Sequence, residues 1–281
     1  MKKNNDDINW TTIDSNSSNL LSKFKELTKY LDLIFFFIKR DFVIFYKQTI
    51  LGPLWYIIQP LVNSIVFTFV FGNLANISTE GTSPFVFYFA GTIIWGYFAV
   101  CLTTTSRTFL SNAAIYGKVY YPRMVNPISN VVFSLLQFFL QFVIFIFFII
   151  YFGDFDKISY KVLLLPLLLF QTAILALGFG LLISSLTTKY RDLNFILDFF
   201  IQLWMFITPI VYPLSIVEQK YRYLVCLNPI APIVECFKEL FFGNSVININ
   251  QILIGILITF LIFVFGIYNF NKVEKNFMDT I

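Results

Sequence analysis

Polar side chains recur one helical turn apart inside long apolar stretches of this sequence. The pairs are Gln59 with Asn63, Gln137 with Gln141, and Asp198 with Gln202. Because residues four apart share one helix face, each pair could offer hydrogen bonds to a polar cargo moving along that face. Each pair could instead join neighbouring helices, where such bonds contribute about 0.6 kcal/mol on average. The residue types therefore indicate either a polar passage or interhelical hydrogen bonding.

Aromatic rings cluster near the ends of the same stretches, and Phe alone occupies 37 positions. Most of these rings are expected to face lipid in the membrane interface. Some could instead line a passage, because aromatic rings pack on the apolar faces of sugars. The candidate lining residues of both kinds are Gln59, Asn63, Phe85, Tyr88, Phe89, Gln137, Gln141, Gln202, Trp204 and Tyr212.

Several catalytic chemistries lack a residue that they need. The sequence has no His, which excludes a Ser–His triad, an HExxH zinc site and His-based proton relays. It also has no GxxxxGK[ST] motif, so the chain does not hold a nucleotide through a P-loop by itself. The three cysteines form no CxxC pair, and we expect neither a metal nor a cofactor in this chain.

A membrane transferase would need a catalytic base. Without His, the candidates are carboxylates that we expect to be exposed: Asp154, Asp156, Glu218, Glu235 and Glu239. None of them is paired in a motif that supports catalysis. Within the predicted spans only Asp198 is ionisable, and it lies near one helix end, whereas ion-driven carriers usually place such groups near the midplane. Energy for transport would therefore come from a partner.

The composition requires elements that cross a membrane. Hydrophobic residues make up 58% and charged residues 13% of the 281 positions, against about 25% charged in soluble chains. The mean hydropathy is +0.75. Six apolar runs are each about 20 residues long, which spans a hydrocarbon core of about 30 Å as a helix. They cover residues 54–73, 85–106, 130–152, 162–185, 195–213 and 250–270. We predict an all-α polytopic membrane protein.

The segments outside these runs have their own signatures. Residues 1–30 are polar, and we expect a flexible cytoplasmic N-terminus. Residues 31–51 mix apolar and charged residues, which predicts an amphipathic helix in the membrane interface. Residues 214–249 contain apolar stretches broken by Pro and Gly, which predicts two short re-entrant helices, with an ordinary outer loop as the alternative. Residues 271–281 form a charged cytoplasmic tail.

Two further expectations concern charge and thiols. With the N-terminus inside, 15 of the 20 Lys and Arg residues fall in cytoplasmic segments and five fall outside. This bias predicts that both termini are cytoplasmic. Cys226 and Cys236 share the outer segment, where a disulfide is conceivable. If both lie in short apolar helices, we expect free thiols.

Six motifs occur in an order that resembles the membrane subunit of type-2 ABC exporters. They are YKQTILGPLWYIIQP (46–60), KVYYPR (118–123), KYRDLN (189–194), TPIVYP (208–213), LNPIAPIVECFKELFFG (227–243) and VEKNFMD (273–279). The resemblance runs from about residue 30 to the end of the chain. It is closest to the branch that exports O-antigen, capsule and teichoic-acid polysaccharides.

The resemblance implies an assembly. Such subunits are homodimers of six-span chains that bind two copies of a separate ATPase, which holds ATP and Mg, in the cytoplasmic (inner) membrane. A polyprenyl-pyrophosphate-linked glycan would pass between the copies, with lipid around them and no role for nucleic acid. The 31–51 segment would be the interface helix, and the helices within 214–249 would form an outer gate.

The resemblance also implies roles for cytoplasmic residues. The coupling contacts with the ATPase would be Tyr116, Tyr120, Tyr121, Lys189, Tyr190, Arg191 and Asp192. Lys118 and Arg123 would lie near the carrier pyrophosphate, where cationic donors are useful. Three alternatives stay open: the same fold carrying a lipid, drug or peptide, an integral membrane transferase, and an assembly subunit without transport of its own.

Overall fold

The computed structural model describes residues 27–47, 52, 54–190, 192–243 and 247–276, and within these ranges the regular elements are all helical. The expected all-α class is confirmed. The helices are α1 Leu31–Lys47, α2 Leu54–Phe67, α3 Pro84–Ser106, α4 Thr108–Ser111, α5 Ala113–Tyr116, α6 Val125–Phe152, α7 Leu165–Thr187, α8 Leu193–Ile207, α9 Gln219–Cys226, α10 Ile230–Phe242 and α11 Ile249–Asn276.

Five helical stretches of the described chain are long and apolar enough to cross a membrane. They are Leu54–Leu74, Pro84–Ser106, Val125–Phe152, Tyr160–Thr187 and Ile249–Glu274. The first is α2 with a π-helical extension over Thr68–Leu74, and the fourth is α7 with a preceding 3-10 turn over Tyr160–Leu164. These five match five of the six predicted spans.

The remaining predicted span, 195–213, is shorter as a helix than the sequence indicates. α8 has 15 residues and ends at Ile207. The next residue, Thr208, is extended, because a residue that precedes a proline is disfavoured in the α conformation. Fifteen residues reach only about 22 Å. The count of six spans therefore stays a prediction.

α3 is the central helix of the bundle. It packs against α2, α6, α7, α8 and α10. Its sequence is apolar on every side, as expected for a helix that other helices surround. Side chains from Val86 to Leu102 are almost all buried, and Phe98 and Cys101 are fully inaccessible.

α7 and α11 approach each other closely through glycines. A Cβ added at Gly266 would collide with the backbone of Gly178, and a Cβ at Gly178 would lie 2.8 Å from Phe263 Cα. Small residues allow such backbone contact between membrane helices, where packing rather than the hydrophobic effect drives association. This contact holds the last helix against the centre of the bundle.

A second buried cluster joins α1 to the end of the bundle at which α3 and α7 terminate. Phe37 of α1 contacts the ring of Tyr121, with centroids 5.7 Å apart. Phe109 stacks on Phe270 of α11 at 4.6 Å. The opposite face of α1 exposes apolar rings such as Phe35 and Phe36, as expected for an interface helix. α1 ends at Lys47. Residues 48–51 of the predicted 31–51 helix lie outside the described residues.

Residues 214–249, the predicted outer segment, contain the two short helices α9 and α10. α9 is largely exposed, whereas α10 is buried against α3, α7 and α11. The loop before α7 joins this layer, because Ser159 N donates to Leu240 O at 3.1 Å. Cys226 and Cys236 are free thiols. A gating role for α9 and α10 stays a prediction.

Candidate translocation face and coupling surface

Three predicted lining residues lie on an exposed side of the bundle. Gln59 and Asn63 are exposed on α2, and Gln202 is exposed on α8. Both helices pack on α3: Thr92 bonds Ser64 of α2 at 2.9 Å, and Trp95 contacts Trp204 of α8 at 6.2 Å. Both helices therefore contact α3 at positions three residues apart, Thr92 and Trp95.

The other predicted polar pair is not exposed. Gln137 and Gln141 of α6 are buried and both contact Tyr56 of α2. Gln141 Nε2 donates to the Tyr56 carbonyl at 2.8 Å, and the Gln137 side chain hydrogen-bonds the Tyr56 hydroxyl. These two glutamines join α6 to α2. Their buried position does not match the expectation that they line a passage.

Pro60 explains why Tyr56 needs a partner from another helix. In a regular helix the N–H of residue 60 would donate to the carbonyl of residue 56, but proline has no N–H. An unpaired carbonyl is costly where lipid excludes water, and a side chain of a neighbouring helix can satisfy it. Gln141 supplies that donor. Sequence alone shows Pro60 but does not show which residue of another helix faces it.

The predicted aromatic lining residues of α3 are packing residues in this structure. Tyr88 and Phe89 are 0% and 1% exposed. Tyr88 packs on Phe67 and Phe71 of α2, and Phe89 packs on Phe145 of α6. The sequence predicts that Tyr88 and Phe89 either line a passage or face lipid. In the structure three helices enclose both rings, so that neither a cargo nor lipid reaches them. Phe85 is half-buried and contacts Phe148 at 4.8 Å.

Trp204 and Tyr212 fasten the end of α8. The Trp204 indole N–H donates to Asn228 Oδ1 at 2.9 Å, and Asn228 Nδ2 donates to Thr208 Oγ1 at 3.0 Å. The Tyr212 hydroxyl donates to the Ile207 carbonyl at 2.9 Å. The Tyr212 bond satisfies a carbonyl freed where the helix stops before Pro209, and the other two bonds join the helix end to Asn228. Both rings are half-buried, so part of each remains accessible.

The predicted carrier-contact residues share one open cleft. The cleft is lined by residues 116–121 and Arg123. Lys118 is exposed, while the Arg123 guanidinium donates to the Glu274 carbonyl at 3.1 Å and lies over the Tyr116 ring at 5.4 Å. Burial raises the pKa of both Tyr116 and Tyr121. The phenols therefore stay neutral, and the charged groups at the cleft are Lys118, Arg123 and the Glu274 carboxylate, which accepts from Arg123 N at 3.4 Å.

The predicted coupling residues divide by exposure. Tyr120 is 68% exposed, and Lys189, Tyr190 and Asp192 are exposed on the turn between α7 and α8. A partner protein could touch these four. Tyr116 and Tyr121 are buried, and their ring centroids are 5.6 Å apart. These two residues therefore support the segment by packing inside it and do not contact a partner protein directly. Arg191 lies outside the described residues.

An ion pair that the sequence did not reveal lies near these coupling residues. Arg107 Nη2 is 2.6 Å from Asp198 Oδ2, and both side chains are partly exposed. Arg107 stands where α3 ends, and Asp198 stands on α8. The contact also accounts for Asp198, the one ionisable residue of the predicted fifth span.

A buried lysine is the second feature that sequence reasoning missed. Lys238 of α10 is 3% exposed, and its ammonium donates to the Pro209 carbonyl at 2.6 Å. It also lies 3.9 Å above the Phe87 ring and 3.7 Å from Glu235 Oε1. Glu235, expected to be exposed, is 6% exposed. The signal was Glu235 and Lys238, three residues apart in a run whose one further charged residue is Glu239.

The loop between α6 and α7 carries a third charge contact. Asp154 accepts from Lys157 Nζ at 2.7 Å and from Ser83 N at 3.2 Å. Burial disfavours the charged form of Asp154, but these hydrogen bonds outweigh it and lower its pKa. Like Glu235, this carboxylate is buried rather than exposed, so neither fits the base that a transferase would need. Within the described residues no group of three potential ligands could hold a metal ion.

The geometry defines a polytopic helical membrane protein with exposed amides on two helices that pack on α3 and an exposed surface between helix ends. The sequence matches the family model described as ABC-2 type transporter over residues 32–242. The chain therefore belongs to the ABC-2 type transporter family. It is a membrane-embedded transport subunit, and the resemblance seen in the motifs is confirmed at the level of the family.

The chain is also similar to curated proteins along almost their whole length. Two Klebsiella pneumoniae proteins named O-antigen export system permease protein RfbA are each 28% identical over 250 residues, which cover 89% of this chain and 95% of each relative. A Myxococcus xanthus protein of the same name is 24% identical over 222 residues, covering 78% of this chain and 84% of the relative.

Proposed function

We propose that this chain is the permease subunit of an ATP-driven exporter of a polyprenyl-linked polysaccharide of the O-antigen, capsule or teichoic-acid type. The observation that carries the proposal is the similarity to O-antigen export permeases across 95% of their length. A match of this extent covers 89% of this chain, rather than one shared motif. The alternative is a type-2 exporter of a lipid, drug or peptide.

The cargo passes between two copies of the chain. The exposed amides of Gln59, Asn63 and Gln202 lie on α2 and α8, which both pack on α3. Neutral amides donate and accept hydrogen bonds, and so they suit a hydroxyl-rich polymer without binding it tightly through charge. Around them the two helices expose apolar residues such as Val62 and Phe206, which a second copy and lipid would cover.

The carrier headgroup is held at the cleft of residues 116–123. Lys118 is exposed there, and Arg123 directs a guanidinium into the same cleft. Guanidinium and ammonium groups are the usual protein donors to pyrophosphate oxygens. Bracing of the segment against lipid phosphates would use the same side chains.

Energy comes from two copies of an ATPase subunit that bind ATP and Mg. Tyr120, Lys189, Tyr190 and Asp192 are the exposed coupling residues. In this arrangement both termini and these residues face the cytoplasm, and the protein lies in the cytoplasmic membrane. Arg191 would belong to the same contact.

Purification in nanodiscs from native membranes tests the proposal. An ATPase with a GxxxxGK[ST] motif should co-purify in equal copy number, and it should be stimulated by the glycan-linked carrier. Stimulation by a lipid, drug or peptide instead would favour the alternative cargo. If no ATPase co-purifies under several mild conditions, the proposal is wrong.

A variant with Gln59, Asn63 and Gln202 replaced by leucine tests the polar face. We expect export to fall while the yield of assembled complex is unchanged, because these three side chains are exposed. Replacement of Gln171, which is half-buried on α7, is the matched control. Normal export by the triple variant would remove α2 and α8 from the passage.

A further inference from the structure

The Arg107–Asp198 ion pair connects the two cytoplasmic segments that carry the proposed coupling residues. Arg107 lies at the junction of α3 and α4, so its side chain is attached to the start of the 107–124 segment. Its carbonyl accepts the Ser111 N–H and the Ser111 hydroxyl, each at 2.9 Å. The arginine therefore moves with this segment.

Asp198 is attached to the second segment through helix α8. Residues 188–190 and Asp192 of the second segment precede α8, which begins at Leu193. Asp198 is less than two helical turns beyond Asp192. Because an α-helix is rigid over this length, a displacement of the turn carries Asp198 with it.

The start of α8 is otherwise weakly anchored by packing. Phe195 is 83% exposed, and Ile196 and Phe199 are also exposed. Leu197 is the neighbouring side chain that is buried. The ion pair of Asp198 with Arg107 thus connects α8 to the end of α3 at a point where α8 buries little surface.

We propose that the Arg107–Asp198 ion pair is a positioning contact that makes the 107–124 segment and the 188–192 turn move together when the ATPase displaces either of them. The inference rests on the proposed function. A partly exposed ion pair is individually weak, so it can transmit motion and still re-form after each cycle. Arg suits this role because its charge is permanent and its planar donors fix direction.

Distance measurement tests the link without reference to an ATPase. Spin labels are placed at Ala114→Cys and Phe195→Cys, two exposed positions, in a full chain whose three native cysteines are replaced by alanine. In nanodiscs the distance distribution should broaden with Asp198→Asn and narrow again in the charge-swapped Arg107→Asp, Asp198→Arg chain. An unchanged distribution with Asp198→Asn overturns the proposal.

Coupling is then measured in the complex with the co-purified ATPase. Arg107→Gln, Asp198→Asn and the double variant should each lower glycan-stimulated ATP turnover by about two- to fivefold. The three losses should be equal, because one contact is removed in each case. The KM for ATP and the copy number of the ATPase should not change. Asp198→Glu, which keeps the charge, should retain coupling.

Two outcomes of the coupling assay count against the proposal. Additive losses in the double variant would show that the two residues act separately. A lower copy number of the ATPase would show that they form part of the docking surface instead. If the wild-type chain yields no ATPase, the proposed function fails, and the distance measurement still decides whether the ion pair joins the segments.

Discussion

Replacing Gln141 with leucine should destabilise the contact between α2 and α6. The substitution keeps a similar volume and removes a donor to the Tyr56 carbonyl, to which residue 60 cannot donate because it is proline. Leaving a buried acceptor unpaired costs about 1–3 kcal/mol. Measured side-chain hydrogen bonds in membranes average about 0.6 and reach about 1.7 kcal/mol.

The structure places the expected cost toward the lower part of this range. Gln141 Oε1 is itself buried without a partner, so leucine also removes one unmet acceptor. We expect a loss of about 1 kcal/mol, which is roughly a fivefold change in the unfolding equilibrium. Unfolding of the full chain in mixed micelles, followed by tryptophan fluorescence, measures this difference.

Pro60→Ala provides the decisive comparison. Alanine at this position restores an N–H that can donate to Tyr56 O within α2. In that background Gln141→Leu should cost less than about 0.5 kcal/mol, which leaves a coupling energy of about 0.5 kcal/mol or more between the two positions. Gln171→Leu is the control, because Gln171 Nε2 is buried without a partner. An equal cost for Gln141→Leu in both backgrounds would refute the reasoning.

Three further perturbations have expected outcomes. Gly266→Ala should destabilise the chain by about 1–3 kcal/mol, because the added Cβ meets the backbone of Gly178. Gly96→Ala is the control in the same unfolding assay, because a Cβ added there lies 3.8 Å from its nearest neighbour, Gln141 Oε1. Equal effects of the two substitutions would contradict the close approach of α7 and α11. Tyr88→Phe should leave the stability of the chain unchanged or raise it, since the buried Tyr88 hydroxyl has no partner. Tyr88→Ala should lower the free energy of unfolding by about 3–5 kcal/mol and lower the folded yield. A well-folded Tyr88→Ala variant with impaired export would support the prediction that Tyr88 lines the passage. Asp154 has a lowered pKa, so its stabilising contribution should be complete above about pH 5 and be lost as the pH falls through that pKa. Asp154→Asn should therefore reduce the fall in stability below about pH 5. An unchanged dependence of stability on pH in this variant would show that the carboxylate is not responsible.

The apolar runs predict the long helices well, because lipid leaves a chain few alternatives to a continuous helix. The end of α8 also has a local signal in Pro209, although the hydropathy of the next residues conceals it. The roles of Gln141 and Lys238 had no comparable signal. Each depends on a carbonyl from a different helix, and hydropathy does not show which helices are neighbours.

Counting charges had a similar limit. Lys238 counts as an outer basic residue in the orientation estimate, yet it is buried against carbonyls and a ring. Tyr88 and Phe89 were indistinguishable from belt residues by type and position. Their burial follows from α3 being surrounded, which depends on packing and not on the composition of α3 alone.

The enclosed position of α3 has a consequence for how the chain is made. The helix is synthesised before α7, α8 and α10, which provide much of its surroundings in the finished protein. At about 5–20 residues per second, α10 emerges on the order of ten seconds later. During that interval α3 must lie in lipid without its later neighbours. Its apolar side chains on every face suit both environments. A charge introduced on a face that is finally buried would therefore act first on membrane insertion and only afterwards on packing.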